Sequence, residues 1–247
     1  MDDAHAQARV FARALAVVSA GLVAETVDRS APGLLIALHL VGSAALGDWW
    51  PGQSDLDLLG VLSRRPTPQD QAVLAAALTR SPYKIDAEWV VAADLSAAPA
   101  TASMAVALRT LALYGQTLRG DKPDIIWDDP LQFETMLREN IATYWARWIK
   151  GARQSLSPTG VAMLGRWAPA WGVLGVARIV YTLRTRDITS KSGAGRWSRI
   201  EFPDHARIIT ECLRLRTVEG RKSYLEPFSR KRDALAAMDA MILASQS

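Results

Sequence analysis

Two aspartates, Asp55 and Asp57, stand one residue apart inside the apolar run "SDLDLLGVL". In a strand, residues i and i+2 point to the same face, so the two carboxylates share a side. Like charges that close repel, and burying either without a partner is costly. Either such a strand lies at an exposed edge, or something cationic sits between the carboxylates. Hard Mg²⁺, bound through one or two carboxylates plus substrate phosphates, removes the cost. A later run, "YKIDAEWVV", offers a third acid, Asp86, with Glu88 as its rival on the same face. Either could take the proton of an attacking hydroxyl, and Asp86 is the preferred metal ligand or base. Two metal ions held by such acids clamp the attacking and leaving oxygens in phosphoryl or nucleotidyl transfer.

Upstream lies a Gly-Ser turn, with eleven residues between Ser43 and Asp55. Gly42 permits close backbone approach, and Ser43 presents an N–H and a hydroxyl to a phosphate. A lone D-x-D is a weak signal, since exposed edge strands carry it. The turn, the spacing, the aspartate pair and a strand-borne acid together are far more specific.

These residues need elements to hold them. "LLIALHLV" (34–41) reads as a buried strand after the turn signal "SAPG". Residues 55–62 read as a second strand, about 69–80 as a helix after Pro-marked loop chemistry, and 83–91 as a third strand. Strand, strand, helix, strand fits a small mixed sheet packed on helices. From about residue 131 the pattern is helical almost throughout, over 131–152, 160–187, 203–217 and 230–245. Between the halves, "RGDKPDIIWDDP" is turn-rich. The expectation is an α+β chain, with an α/β domain over 1–126 and an all-α helical bundle over 127–247.

At 247 residues, 49% hydrophobic and 22% charged, the chain has ample material for a core. No run of eighteen apolar residues occurs, and the acidic start followed by Arg9 and Arg13 fits an amphipathic helix better than a leader. A single cysteine, Cys212, allows no internal disulfide and no metal cluster. A cytoplasmic protein is expected. The net charge of +4 is unevenly placed: Arg178 to Arg232 holds 14 Lys/Arg against 6 Asp/Glu, and the remainder holds 15 against 19. That asymmetry fits a bound polyanion or a nucleic-acid surface, although an arginine-rich solvated face would look the same.

The block "LHLVGSAALGDWWPGQSDLDLLGVL" resembles the signature of the nucleotidyltransferase superfamily that includes DNA polymerase β. It is closest to the adenylyltransferases that modify streptomycin and spectinomycin. "LGVARIVYTLRTRDITSKSGAGRW" (Leu174 to Trp197) resembles a second block, from that family's helical domain. The resemblance implies an N-terminal nucleotidyltransferase domain, a C-terminal helical domain, and ATP and acceptor bound in the cleft between them. It implies Asp55 and Asp57 as Mg²⁺ ligands, Ser43 and Ser54 as phosphate contacts, and Arg178 and Lys191 as partners of the ATP phosphates. The family's third acid is a glutamate; here Asp86 aligns best, one methylene shorter.

Other departures concern the acceptor and the base. Where streptomycin-modifying members carry acidic residues, this chain has "GRWAPAWGV", with Arg166, Trp167 and Trp171 and no acid. A less charged aminocyclitol, or an acceptor that stacks on aromatic rings, suits it better. Those tryptophans read first as core of the bundle. Trp49, Trp50 and Trp171 are the candidates for acceptor contact, and two adjacent tryptophans in a Gly/Pro loop are hard to bury together. The tyrosine expected near adenine aligns with Thr217, with Tyr224 close by. The activity implied is Mg²⁺-dependent transfer of AMP from ATP to a hydroxyl of a small acceptor, with release of pyrophosphate. The rivals are a nucleotidyltransferase acting on RNA or protein and a non-catalytic nucleotide-binding regulator.

Overall fold

The computed structural model describes residues 2–124, 126–217 and 220–246, with the side chains of 2–6 left aside. Position 125, inside the expected linker, and positions 218 and 219 lie outside the described residues. The chain divides into two compact units, Met1–Asp129 and Pro130–Ser247.

The first unit is built on a four-stranded sheet in the order β3-β2-β1-β4. Its strands are β1 (Leu35–Leu40), β2 (Leu56–Leu62), β3 (Ile85–Val91) and β4 (Gln116–Arg119). β1 runs antiparallel to both neighbours, whereas β2 and β3 are parallel, so the sheet is mixed as expected. The parallel pair requires a crossover, supplied by α3 (Pro68–Leu78). Thr67 caps α3, accepting from the Asp70 N–H, and Asp70 returns a bond to the Thr67 backbone.

α1 (Asp2–Ser30) covers one face of the sheet. Ala12, Ala16, Ala20, Val23 and Val27 recur at helical spacing and pack with Leu38, Leu40, Leu56 and Leu58. The segment Gln7–Ser30 is long and apolar enough to cross a membrane by length and composition. Only 28% of that window is buried, by the stripe packed on the sheet, and Val10, Phe11, Val17 and Val18 are exposed. α2 (Gly42–Ala45) is the single helical turn after β1. α4 (Ala102–Tyr114), begun by the Thr101 cap, contacts β2 and α2 and buries Ala105, Leu108 and Leu111. Neither α4 nor β4 was anticipated from the sequence.

The second unit is helical. α5 (Pro130–Asn140), a π-helical turn (Ile141–Trp145) and α6 (Ala146–Arg153) form one run over the expected 131–152. After α7 (Pro158–Ala162), the buried α8 (Trp167–Thr185) packs on α9 (Lys191–Glu201), α10 (Ala206–Thr217) and α11 (Pro227–Ala244). Cys212 lies wholly buried in this core, and burial pushes its thiol up out of the reactive range.

Candidate active site

Register places the acids. Asp57 on β2 pairs with Asp86 on β3, and Leu59 pairs with Glu88. The Leu56 N–H donates to the Lys84 carbonyl (2.9 Å), which carries the alignment back to Asp55 beside Lys84. One face of two parallel strands therefore carries Asp55 and Asp57 in one row and Lys84, Asp86 and Glu88 in the next. The alternate residues Leu56 and Leu58 are buried against α1 and α3, which fixes the face that the acids take. Glu88 lies roughly 7 Å further along the strand than Asp86, two residues at about 3.3 Å each. The structure thus sets Asp86, not Glu88, beside the aspartate pair.

The cation asked for by two like charges is present in the chain itself. Lys84 Nζ lies 2.6 Å from Asp55 Oδ2. That bond, with the charges of Asp86 and Asp57, holds the Lys84 ammonium above the ordinary lysine range. Sequence reasoning passed over Lys84. The signal was its i−2 spacing from Asp86.

Gly42 and Ser43 are seated against Asp57. Gly42 has φ +54°, and a Cβ there would stand 2.0 Å from Asp57 Oδ2. The close approach expected of Gly42 is therefore to Asp57. The Ser43 N–H donates to Asp57 Oδ2 (3.2 Å), while the Val41 N–H donates to the Asp57 carbonyl (3.1 Å). Ser43 Oγ is buried and has no hydrogen-bond partner among the described residues. A buried hydroxyl left this way is uncommon, and it is free to donate to a ligand oxygen.

Ser54 and the tryptophans take structural roles. Ser54 Oγ accepts from the Trp50 N–H (3.0 Å) and donates to the Trp50 carbonyl (3.3 Å), closing the loop. Trp49 is buried, its indole N–H donating to the Ser54 carbonyl (3.0 Å) and its ring edge-on to Tyr83. Trp49 is therefore a core residue, which corrects its expected place among the acceptor contacts. Trp50 is half-buried and donates to Asp48 Oδ1 (3.1 Å).

In the helical unit, Arg178 lies half-buried on α8. Lys191 is the first residue of α9, whose Ser190 cap accepts from the Gly193 N–H (3.0 Å). A helix N-terminus favours phosphate through its free N–H groups and dipole. Lys191 Nζ lies 5.9 Å from the centroid of the Trp171 ring, within cation–π range. Trp171 in turn belongs to an aromatic cluster. It stacks on Trp167 at 5.2 Å and packs on Trp145 and Trp148. A Cβ at Gly175 would stand 2.7 Å from the Trp145 ring, so this glycine lets the cluster close on α8. Trp167 is 62% exposed, leaving one stacked face open to solvent. Tyr224 is buried, donating to Asp233 Oδ2 (2.8 Å) beneath the Arg207 guanidinium, so its ring is already covered.

The donors fit a hard divalent ion. Among the described residues no three such side chains converge closely enough to hold a metal alone. Mg²⁺ does not require that, because substrate phosphates and water complete its shell.

Residues 138–241 match the model of a family described as aminoglycoside adenylyltransferase, C-terminal domain. A solved structure of spectinomycin adenyltransferase AAD(9) from Enterococcus faecialis, with ATP and spectinomycin, has the same fold. Its TM-score is 0.70 at 13% identity, over 93% of this chain and 98% of that one. No curated protein matches the chain by sequence. The chain therefore shares the fold of that structure, and its sheet carries Asp57 and Asp86 side by side on one face. Its helical unit, over residues 138–241, is similar to the C-terminal domain of the aminoglycoside adenylyltransferases.

Proposed function

We propose that this enzyme transfers AMP from ATP to a hydroxyl of an aminocyclitol-type small molecule in the cytoplasm and releases pyrophosphate. One observation carries the reading. Asp55, Asp57 and Asp86 share one sheet face, with Lys84 Nζ bonded to Asp55, beside a Gly-Ser turn whose buried serine hydroxyl lacks a partner among the described residues. Asp55 and Asp57, with Asp86, are the residues to hold Mg²⁺, and two ions suit the set. When bound, the metal withdraws charge from the phosphate oxygens where negative charge develops. Ser43 Oγ donates to a phosphate oxygen. Arg178 and Lys191 supply countercharge to the triphosphate, and the Trp171 face keeps the Lys191 ammonium in place. Lys84 releases Asp55 as the nucleotide arrives and turns to the incoming phosphates. Asp86 orients the acceptor hydroxyl and takes its proton, with Glu88 the more distant alternative.

The AAD(9) structure holds ATP and spectinomycin, which supports both substrates. The open aromatic face of Trp167 on Trp171, with no acid between Gly165 and Val173, favours an acceptor of low charge. The test is pyrophosphate release from ATP and Mg²⁺ across a panel that includes spectinomycin and streptomycin. Spectinomycin is expected to turn over faster than streptomycin. Transfer of labelled AMP to RNA or protein, with none to the panel, overturns the small-molecule reading.

A further inference from the structure

A cavity of about 400 Å³ lies on the opposite side of the sheet from the acids. Leu40 forms part of its floor and belongs to the sheet face that packs on α1, together with its register partner Leu58. The buried residues Ala12 and Ala16 of α1 and the face of Trp49 complete an apolar wall. The Trp49 N–H is already donated to Ser54, so the ring offers the cavity only its hydrocarbon surface. At the mouth stand Arg9 and Arg13, four residues apart and therefore on one side of α1. Among the described residues no acid lines the cavity and neither arginine has an ion-pair partner. Gln116 adds an amide whose Nε2 donates to the Ala45 carbonyl (3.4 Å).

We infer that this cavity binds a small amphipathic anion, a carboxylate carried on a short alkyl chain. The chemistry of each end decides the class. Apart from the Gln116 amide, the wall formed by Ala12, Ala16, Leu40 and Trp49 is apolar, so the buried part of the ligand is hydrocarbon. Two guanidinium groups one helical turn apart repel each other until an anion lies between them, and guanidinium matches a carboxylate through paired hydrogen bonds. The volume lies within the range of small-molecule sites and holds a chain of about eight carbons. The roof is Ala44, Ala45, Leu46 and Gly47, which continue directly from the Gly42–Ser43 turn seated on Asp57. Occupancy therefore bears on the turn that positions a metal-ligand candidate.

The experiment is calorimetric titration of the full chain with octanoate, without ATP or metal, so that its result is independent of the transferase reading. One saturable site is expected. Arg9→Ala with Arg13→Ala should weaken it at least tenfold, and Ala16→Leu should abolish it, with circular dichroism unchanged for each. Octylamine should not bind. Equal binding of octanol, unchanged affinity in the double arginine variant, or more than one equivalent of octanoate overturns the proposal. So does retention on phosphatidylglycerol vesicles without octanoate binding, which would assign the two arginines to a lipid surface.

Discussion

The two units bring charge to their sites in opposite ways. The N-terminal unit sets its acids on strands, where register alone decides which carboxylate stands beside which. The C-terminal unit sets its cations on helices, where a backbone position says little and a neighbouring ring does the placing. Asp57 is fixed by Val41, Gly42, Ser43 and its register partner Asp86. Lys191 is fixed by a cap at its own helix start and by the Trp171 face. A site made by register tolerates no substitution at its turn, whereas a site made by aromatic packing degrades in steps.

The hardest test of that contrast is Asp57→Asn. Removing one charge from the pair while keeping its shape should lower kcat by about a thousandfold or more, with the fold intact by circular dichroism. Pyrophosphate release measures it, and activity within tenfold of the parent would refute the metal assignment. Gly42→Ala comes next. Its methyl group has no room beside Asp57 and the backbone is left-handed there, so the turn must open. A loss of about a hundredfold in kcat is expected, with little change in KM for ATP.

In the helical unit the same treatment should move a different parameter. Lys191→Ala should raise KM for ATP by about fiftyfold, as the loss of one phosphate contact does. Trp171→Leu separates two roles of that ring. If it places Lys191, KM for ATP rises about tenfold and acceptor KM is unchanged. A rise confined to acceptor KM would instead assign the ring to stacking on the acceptor.

Legibility in the sequence followed the same divide. Alternation placed Asp55, Asp57, Asp86 and Glu88 on one face, because the side-chain period of a strand is two and buried leucines fix its phase. The sequence already favoured Asp86 over Glu88, but seating Asp86 beside Asp57 needed the register, which depends on how β2 and β3 align across the 22 residues between them. Lys84 looked like any exposed lysine until that register put it beside Asp55. α9 was hidden by Gly193 and Gly195, poor helix formers that make close packing possible here. The stretch over 92–118 held a Ser/Ala/Pro segment whose composition masked α4 and β4. Two blocks carried the resemblance, and the matched helical region lies over the second of them.

The smallest expected effect asks whether the two units also answer acid differently. His39 on β1 is fully buried on the acid-bearing side of the sheet, opposite Leu59. Its Nδ1 lies 3.1 Å from Thr117 Oγ1, and Nε2 has no partner among the described residues. Burial, helped by the Lys122 charge, lowers its pKa from 6.5 to about 4. The unfolded chain therefore binds the proton first. Stability from the neutral ring is complete above about pH 6.5 and is lost as pH falls toward 4, by roughly 2 kcal/mol between pH 7 and 5. In the helical unit, burial opposes the Glu211 charge, but Arg214 and the Ser223 N–H outweigh it and keep the carboxyl below its ordinary range. Its contribution disappears only as pH falls through that lower range. Hydrogen exchange at pH 7 and pH 5, corrected for intrinsic rates, should show β1 and β2 losing protection while α8 keeps it. His39→Gln should remove most of that difference, and earlier opening of α8 would transfer the acid-sensitive step to the helical unit.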